Sequence, residues 1–280
     1  MRIAVIGLGL IGGSIALAAR ERLGAHVCGF DRDPETAQTA LARGLIERSS
    51  GTLAEALDAA EAAFVAVPVG ALAQVLDETL AAAGSQCVVS DVGSVKRALV
   101  GGREDPRFVG GHPLAGAERS GNRHARADLF AGEFWYLTPA PSTSPILLER
   151  LRELIEGLGA RPLTVDAETH DRLVATVSHL PHVLAGALVM QAVARTGAGD
   201  REAAFAAGPS FRDATRVAGA PASIWTDIYT ANADMLGAAI ADMIGRLEAF
   251  GEALAGAKRA RIEAFSESAA AAREKLGGAR

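Results

Sequence analysis

The chain has 280 residues, 49% of them hydrophobic and 22% charged, the balance of a globular protein of one large or two medium domains and not of a disordered one. Its net charge of −5 gives no electrostatic reason to expect nucleic acid as a partner, and no uninterrupted apolar stretch reaches the roughly 18 residues of a membrane span. The two cysteines, Cys28 and Cys87, sit in apolar stretches and read as small reduced core residues, which suits a cytoplasmic protein.

The rest of the chain is organised around residues 2–14. Ile3 to Ile6 is an apolar run that reads as a buried strand of a parallel sheet. Gly7, Gly9 and Gly12 follow as G-x-G-x-x-G, and Ser14 to Arg20 continues as a helix former. The first glycine suits a tight turn, the second a close approach of backbone to a pyrophosphate, and the third close packing of helix on strand. The helix start presents N–H groups and a positive dipole end to phosphate. Asp31 closes a second strand, His26 to Asp31, 19 residues beyond Gly12, where an acidic residue can reach ribose hydroxyls. Arg32 is adjacent and suits a 2′-phosphate instead, so the residues leave NAD and NADP both open, with Asp31 favouring NAD. Arg2 and the apolar run to Ala19 superficially copy a signal peptide. The glycines at 7, 9, 12 and 13 weaken the helix such a peptide needs, and the run ends in Arg20-Glu21.

Helices are predicted over Pro34–Arg43 with Gly44 as a stop, Leu53–Ala60, Gly70–Ala83 and Pro145–Gly157. Strands are predicted over Ala62–Val67, Gln86–Ser90, Arg107–Val109, Phe134–Thr138 and Pro162–Val165. Leu10 and Ile11 in the turn, Val67 at the end of one strand and Ser90 at the end of the next join Gly7, Gly9, Gly12, Asp31 and Arg32 as expected cofactor-binding residues. At Asp166 strands vanish and helical spacing takes over. Asp166 is a plausible N-cap, with Glu168 in the first turn. Leu173, Val177, Leu180, Leu184 and Leu188 form an apolar stripe, and Pro181 should kink that helix. A later helix carries Leu236, Ile240, Met243, Ile244, Leu247 and Phe250 on one face. These features divide the chain into a dinucleotide-binding domain, 1–165, and a helical domain, 166–280, whose apolar surface calls for a second subunit.

Ser94, His112, His182 and Arg216 stand out chemically. His112 precedes Pro113, which keeps its backbone extended, and Gly110 and Gly111 before it would let the chain pass near a ligand. Ser94 lies on a neighbouring strand-end loop, within reach of an imidazole nitrogen. His179 and His182 are three apart around Pro181, and no cluster supplies the further ligands a metal would need. Arg216 by itself reads as a solvated surface charge.

The chain resembles the prephenate dehydrogenase family, including its arogenate-using members, over nearly its whole length. The resemblance rests on residues 5–14, on Asp91-Val92-Gly93-Ser94-Val95-Lys96, on Gly111-His112-Pro113 through Gly121, on Leu129-Phe130-Ala131-Gly132, on Ser178-His179-Leu180-Pro181-His182, and on Thr215-Arg216 with Trp225. It implies an α/β fold with an N-terminal Rossmann-type domain followed by an all-helical dimerisation domain, NAD as cofactor, and a homodimer acting on prephenate or arogenate. It implies His112 as the catalytic histidine, Ser94 as its hydrogen-bonding partner, His182 and Arg216 as substrate-site residues, and Glu118 near the cleft entrance. Gly208-Pro209-Ser210 departs from the glycine run the family often carries there. No mutase or regulatory extension is recognised, so a monofunctional enzyme is expected. A β-hydroxyacid dehydrogenase of similar architecture would use a lysine in its helical domain, and residues 166–250 contain none. A non-catalytic NAD-binding sensor would not need His112 and Ser94 together.

Overall fold

The computed structural model describes residues 1–116, 121–196 and 207–277. Its first half alternates strand and helix: β1 (Arg2–Ile6), α1 (Leu10–Leu23), β2 (His26–Phe30), α2 (Pro34–Ala42), β3 (Arg48–Ser49), α3 (Leu53–Leu57), β4 (Ala62–Val65), α4 (Val69–Ala82), β5 (Val88–Asp91) and the short α5 (Arg97–Val100). β6 (Phe108–Pro113), β7 (Phe134–Pro139), α6 (Pro145–Gly157) and β8 (Arg161–Thr164) complete an eight-stranded sheet of order β3-β2-β1-β4-β5-β6-β7-β8. Only the β6–β7 pairing is antiparallel. The strand order reverses beside β1, between the β2 side and β4. That reversal opens a crevice at the carboxyl ends of the strands, the place where open α/β sheets take their ligands.

The sheet is covered on both faces, so β1 and β4 are buried along nearly their full length. One apolar layer packs Ile15, Ala18 and Ala19 of α1 and Leu151, Leu154 and Ile155 of α6 around Phe64 and Trp135. The other packs Leu72, Leu76 and Leu80 of α4 against Ile6, Val65 and Val89. Asp166 caps its helix as expected, and the Asp33, Thr52 and Ser144 side chains likewise each accept a first-turn N–H. Cys28 and Cys87 are free, and burial pushes the Cys87 thiol up to about 11.

After β8 the described chain is helical: α7 (Ala167–Val174), a π-helical turn (Ala175–His179), α8 (Leu180–Thr196), α9 (Pro209–Thr215), a 3₁₀ turn (Arg216–Gly219), α10 (Ala222–Ala231), α11 (Ala233–Ala255) and α12 (Arg259–Gly277). The π turn stands immediately before Pro181. The ring has no N–H to continue the ladder, and the helix widens to the π pattern in the turn before it. By its contacts the chain falls into two compact units, Met1–Ala233 and Asp234–Arg280. Helical character begins at the expected position, but α7 to α10 group with the sheet because Asp171 of α7 caps the backbone before α5 (Lys96 N–H at 2.8 Å, Arg97 N–H at 3.0 Å). In the second unit, the rings of Phe250 and Phe265 pack at 4.8 Å between α11 and α12.

Candidate active site

The crevice beside β1 is a cleft of about 1110 Å³, lined by Gly7, Gly9, Leu10, Ile11, Asp31, Arg32 and Val67, by Val92 to Ser94, and on its far side by Trp225 and Ile228. Its floor is the glycine turn. Gly7 has φ +91°, and a Cβ on Gly12 would sit 1.9 Å from the Gly7 carbonyl oxygen. Around Gly9 there is nothing within 4 Å of a notional Cβ. The α1 N-terminus carries no side-chain cap. Open space over uncapped helix N–H groups is the environment a pyrophosphate needs. Asp31 accepts the Leu8 N–H at 2.7 Å and the Asp33 N–H at 3.0 Å, one on each carboxylate oxygen. The cleft residues therefore fit a dinucleotide.

His112 was expected on a loop but lies inside β6, opposite Tyr136 of β7. Its Pro113-imposed extended backbone serves the sheet pairing. Gly110 and Gly111 do not leave room for a ligand. A Cβ on Gly110 would meet Thr138 Oγ1 at 2.2 Å, and one on Gly111 would meet Ser90 Oγ and the Asp91 carbonyl, each at 2.5 Å. These glycines let the strand press on a buried polar column. In it, Asp91 accepts the Gly93 N–H at 2.8 Å and the Gly111 N–H at 3.1 Å, and pairs with the Lys96 ammonium; both side chains are completely buried. Burial is the main force pulling the Lys96 pKa below its ordinary value, with the Asp91 carboxylate opposing it.

His112 is half-buried and stands three residues before cleft-lining Ala115. Its Nδ1 lies 2.9 Å from His170 Nε2, and His170 Nδ1 lies 2.7 Å from Asp171 Oδ1. His170 takes the place expected for Ser94, which lines the cleft but makes no hydrogen bond to His112. Desolvation, with His170, Lys96 and His179 nearby, holds the His112 pKa well below its ordinary value. The site therefore presents a neutral imidazole whose Nδ1 is occupied.

His179 and His182 part company at the π turn. His179 is buried against Asn232, Nδ2 to Nδ1 at 3.3 Å, and desolvation lowers its pKa to about 4. His182 stacks on Trp225, with ring centroids 3.7 Å apart and planes at 12°, and its Nδ1 bonds the Tyr229 hydroxyl. His182 Nε2 is buried, and the Val217 backbone interacts with the ring. Arg216 opens the 3₁₀ turn, is exposed, and lies outside the cleft lining. Glu118 lies outside the described residues. Ser90, expected on the cofactor, is completely buried in β5 and donates to the Asp91 carbonyl at 3.2 Å. Its hydroxyl lies against Gly111, and it is not among the residues lining the cleft.

Sequence reasoning missed His170, Asp171, Asn232 and the Asp91–Lys96 pair. The adjacent His170-Asp171 dipeptide on a short capped helix was the one visible signal.

Residues 15–164 match the family model described as the prephenate dehydrogenase nucleotide-binding domain, and residues 166–268 match its dimerization domain. The chain is 36% identical over 242 residues to the prephenate dehydrogenase of Bacillus subtilis (strain 168), covering 84% of this chain and 65% of that protein. The match thus spans just under two thirds of that relative's length. The cyclohexadienyl dehydrogenase of Zymomonas mobilis is 34% identical over 240 residues, 84% of this chain and 82% of that protein. Among solved structures, prephenate dehydrogenase from A. aeolicus in complex with hydroxyphenyl propionate and NAD+ superposes with a TM-score of 0.89 at 26% identity, covering 99% of this chain and 98% of the other.

Proposed function

The chain belongs to the prephenate dehydrogenase family, and on that premise we propose that it oxidatively decarboxylates prephenate with NAD, giving 4-hydroxyphenylpyruvate for tyrosine biosynthesis. Arogenate, with an amino group in place of the keto group, is the other substrate the same site would take, giving tyrosine directly. The observation that carries the reading is the neutral, half-buried His112, tethered at Nδ1 and three residues before the cleft-lining Ala115.

Asp31 holds the adenosine ribose, and Gly7, Gly9, Gly12 and the α1 N-terminus hold the pyrophosphate. NAD, when bound, supplies the acceptor for the hydride that leaves C4 of the cyclohexadienol. His112 Nε2 takes the C4 hydroxyl proton as that hydride departs. The C1–carboxylate bond then breaks, its electron pair enters the ring, and carbon dioxide leaves. His112 returns the proton to the resulting phenolate oxygen. General-base help of this kind is worth typically 10²–10⁴ in rate. Ser94 lines the reacting end of the cleft. His182, on its Trp225 platform, binds substrate. Arg216 supplies a guanidinium for a carboxylate, and Glu118 carries the entrance role that the resemblance implies.

The reading includes a homodimer formed through residues 166–280. The dimerization-domain match supports it, as do the exposed Val177, Leu188 and Met190 in one unit and Ile244 and Leu247 in the other. The stretch Ala167–Arg195 is long and apolar enough to cross a membrane by length and composition, with 28% of its most apolar window buried. A second copy covering it accounts for that surface without a bilayer. The free thiols Cys28 and Cys87 agree with a cytoplasmic location. The test is incubation with NAD and each substrate in turn, following reduced nicotinamide by absorbance; prephenate should give it, and silence with both substrates would overturn the reading.

A further inference from the structure

Asp171, His170 and His112 form one hydrogen-bonded line from a buried carboxylate to the half-buried imidazole of His112. We propose that this line locks His112 in the tautomer with its proton on Nδ1, keeping the Nε2 lone pair available as the base, with His170 and Asp171 as positioning residues. The inference rests on the reading of His112 as the base of the reaction.

An ionised carboxylate only accepts. Asp171 is fully buried and receives the Lys96 N–H at 2.8 Å and the Arg97 N–H at 3.0 Å, so its 2.7 Å contact with His170 Nδ1 requires the proton on that nitrogen. A neutral ring protonated on Nδ1 presents a lone pair at Nε2. His170 Nε2 therefore accepts, and the 2.9 Å contact makes His112 Nδ1 the donor. The only nitrogen of His112 left without a proton is Nε2.

The alternative is a doubly protonated His170, which would donate to His112 Nδ1 and place the His112 proton on Nε2, where it cannot act as a base. The surroundings oppose that state. His170 is completely buried, Tyr136 packs on it edge-on, and the Lys96 ammonium lies near it. Desolvation is the main force lowering the pKa of His170, against the opposing Asp171 hydrogen bond. Among the described residues the titratable groups facing His112 are His170, Lys96 and His179, and all three disfavour a second proton in the resting state. When Nε2 takes the substrate proton, the charge gained is balanced along the line by Asp171, at no cost in solvent reorganisation.

The test reads the tautomer directly. The full chain is labelled with ¹⁵N-histidine and the two-bond ¹⁵N–¹H couplings of its rings are recorded at neutral pH, with the His112 signal assigned by its loss in His112→Asn. The expected result is a protonated Nδ1 and a bare Nε2, opposite to the tautomer that free histidine favours; a protonated Nε2 overturns the proposal. Asp171→Asn supplies the functional arm. Its carboxamide can donate to His170 Nδ1, which reverses both rings. The variant should show the His112 proton on Nε2 and lose about 10²-fold or more in kcat, with KM for prephenate and Kd for NAD within about threefold of the parent. A folded Asp171→Asn protein with parental kcat overturns the proposal, and if that variant does not fold, the tautomer of the unaltered protein still decides. A protein with the expected tautomer but no turnover of prephenate or arogenate would refute the proposed function and leave the relay standing. Turnover with the opposite tautomer would refute the relay alone.

Discussion

Asp31 accepts the backbone N–H of Leu8 at 2.7 Å, so the residue expected to read the ribose also ties the end of β2 to the glycine turn. The same carboxylate caps the Asp33 N–H. Replacing it therefore removes a turn contact as well as a negative charge that repels a 2′-phosphate. The proposed activity should show a higher kcat/KM with NAD than with NADP, and Asp31→Ser should narrow that preference about tenfold or more while lowering Tm. Unchanged cofactor preference in the variant would take the ribose away from Asp31.

The turn glycines separate folding from binding. A Cβ at Gly12 collides with the Gly7 carbonyl, whereas one at Gly9 meets only open space, and the Gly9 backbone (φ −72°) is open to alanine. Gly12→Ala should lose on the order of 1–3 kcal/mol of stability through overpacking. Gly9→Ala should keep the parental Tm and weaken NAD binding about tenfold or more. Calorimetry of both variants with and without NAD checks the pair, and a Gly9→Ala protein that binds NAD normally would show that phosphate does not approach there.

His182 depends on its neighbours for position. Tyr229→Phe removes the hydroxyl that bonds Nδ1 but leaves the Trp225 stack. Net loss of one such bond is worth about 1 kcal/mol, so KM for prephenate should rise severalfold with Kd for NAD unchanged. Steady-state kinetics against each substrate separately measures this. A change confined to NAD would place His182 on the cofactor.

Buried neutral histidines make the protein sensitive to acid. His179 has a folded pKa of about 4 against an ordinary 6.5. Below pH 6.5 the unfolded chain takes up protons that the folded one refuses, so stability is complete above that value and falls as pH drops toward 4. A shift of this size corresponds to roughly 3 kcal/mol. Tm should therefore decline between pH 6.5 and 4, and His179→Gln should decline less steeply over the same range, though from a lower start. Equal slopes for the two proteins would contradict the assignment.

Much of this was readable from residues alone. The β1–turn–α1 unit announces itself because its signals are local: an apolar run, three glycines at fixed spacing and an acidic residue at the end of the next strand. The Asp166 cap and the change to helix after it are local too. The β3 pairing of Arg48 and Ser49 is too short to leave a pattern. The role of His170 was not legible because its partner is 58 residues away, and no sequence rule says which face of α7 is buried. Gly110 and Gly111 misled for a related reason. A glycine pair before a histidine suggests ligand approach, but only the packed structure shows that Thr138, Ser90 and Asp91 already fill the space.

The most direct test of the account is the His112→Asn variant assayed with prephenate and NAD, scoring reduced cofactor and released carbon dioxide together. Asparagine is close in size and keeps a donor for His170 Nε2 but offers no basic nitrogen. The predicted result is equimolar reduced cofactor and carbon dioxide from the parent protein, and a kcat about 10²-fold or more lower in the variant with its Kd for NAD unchanged. A folded variant that turns over at the parental rate would contradict the claim that His112 takes the proton.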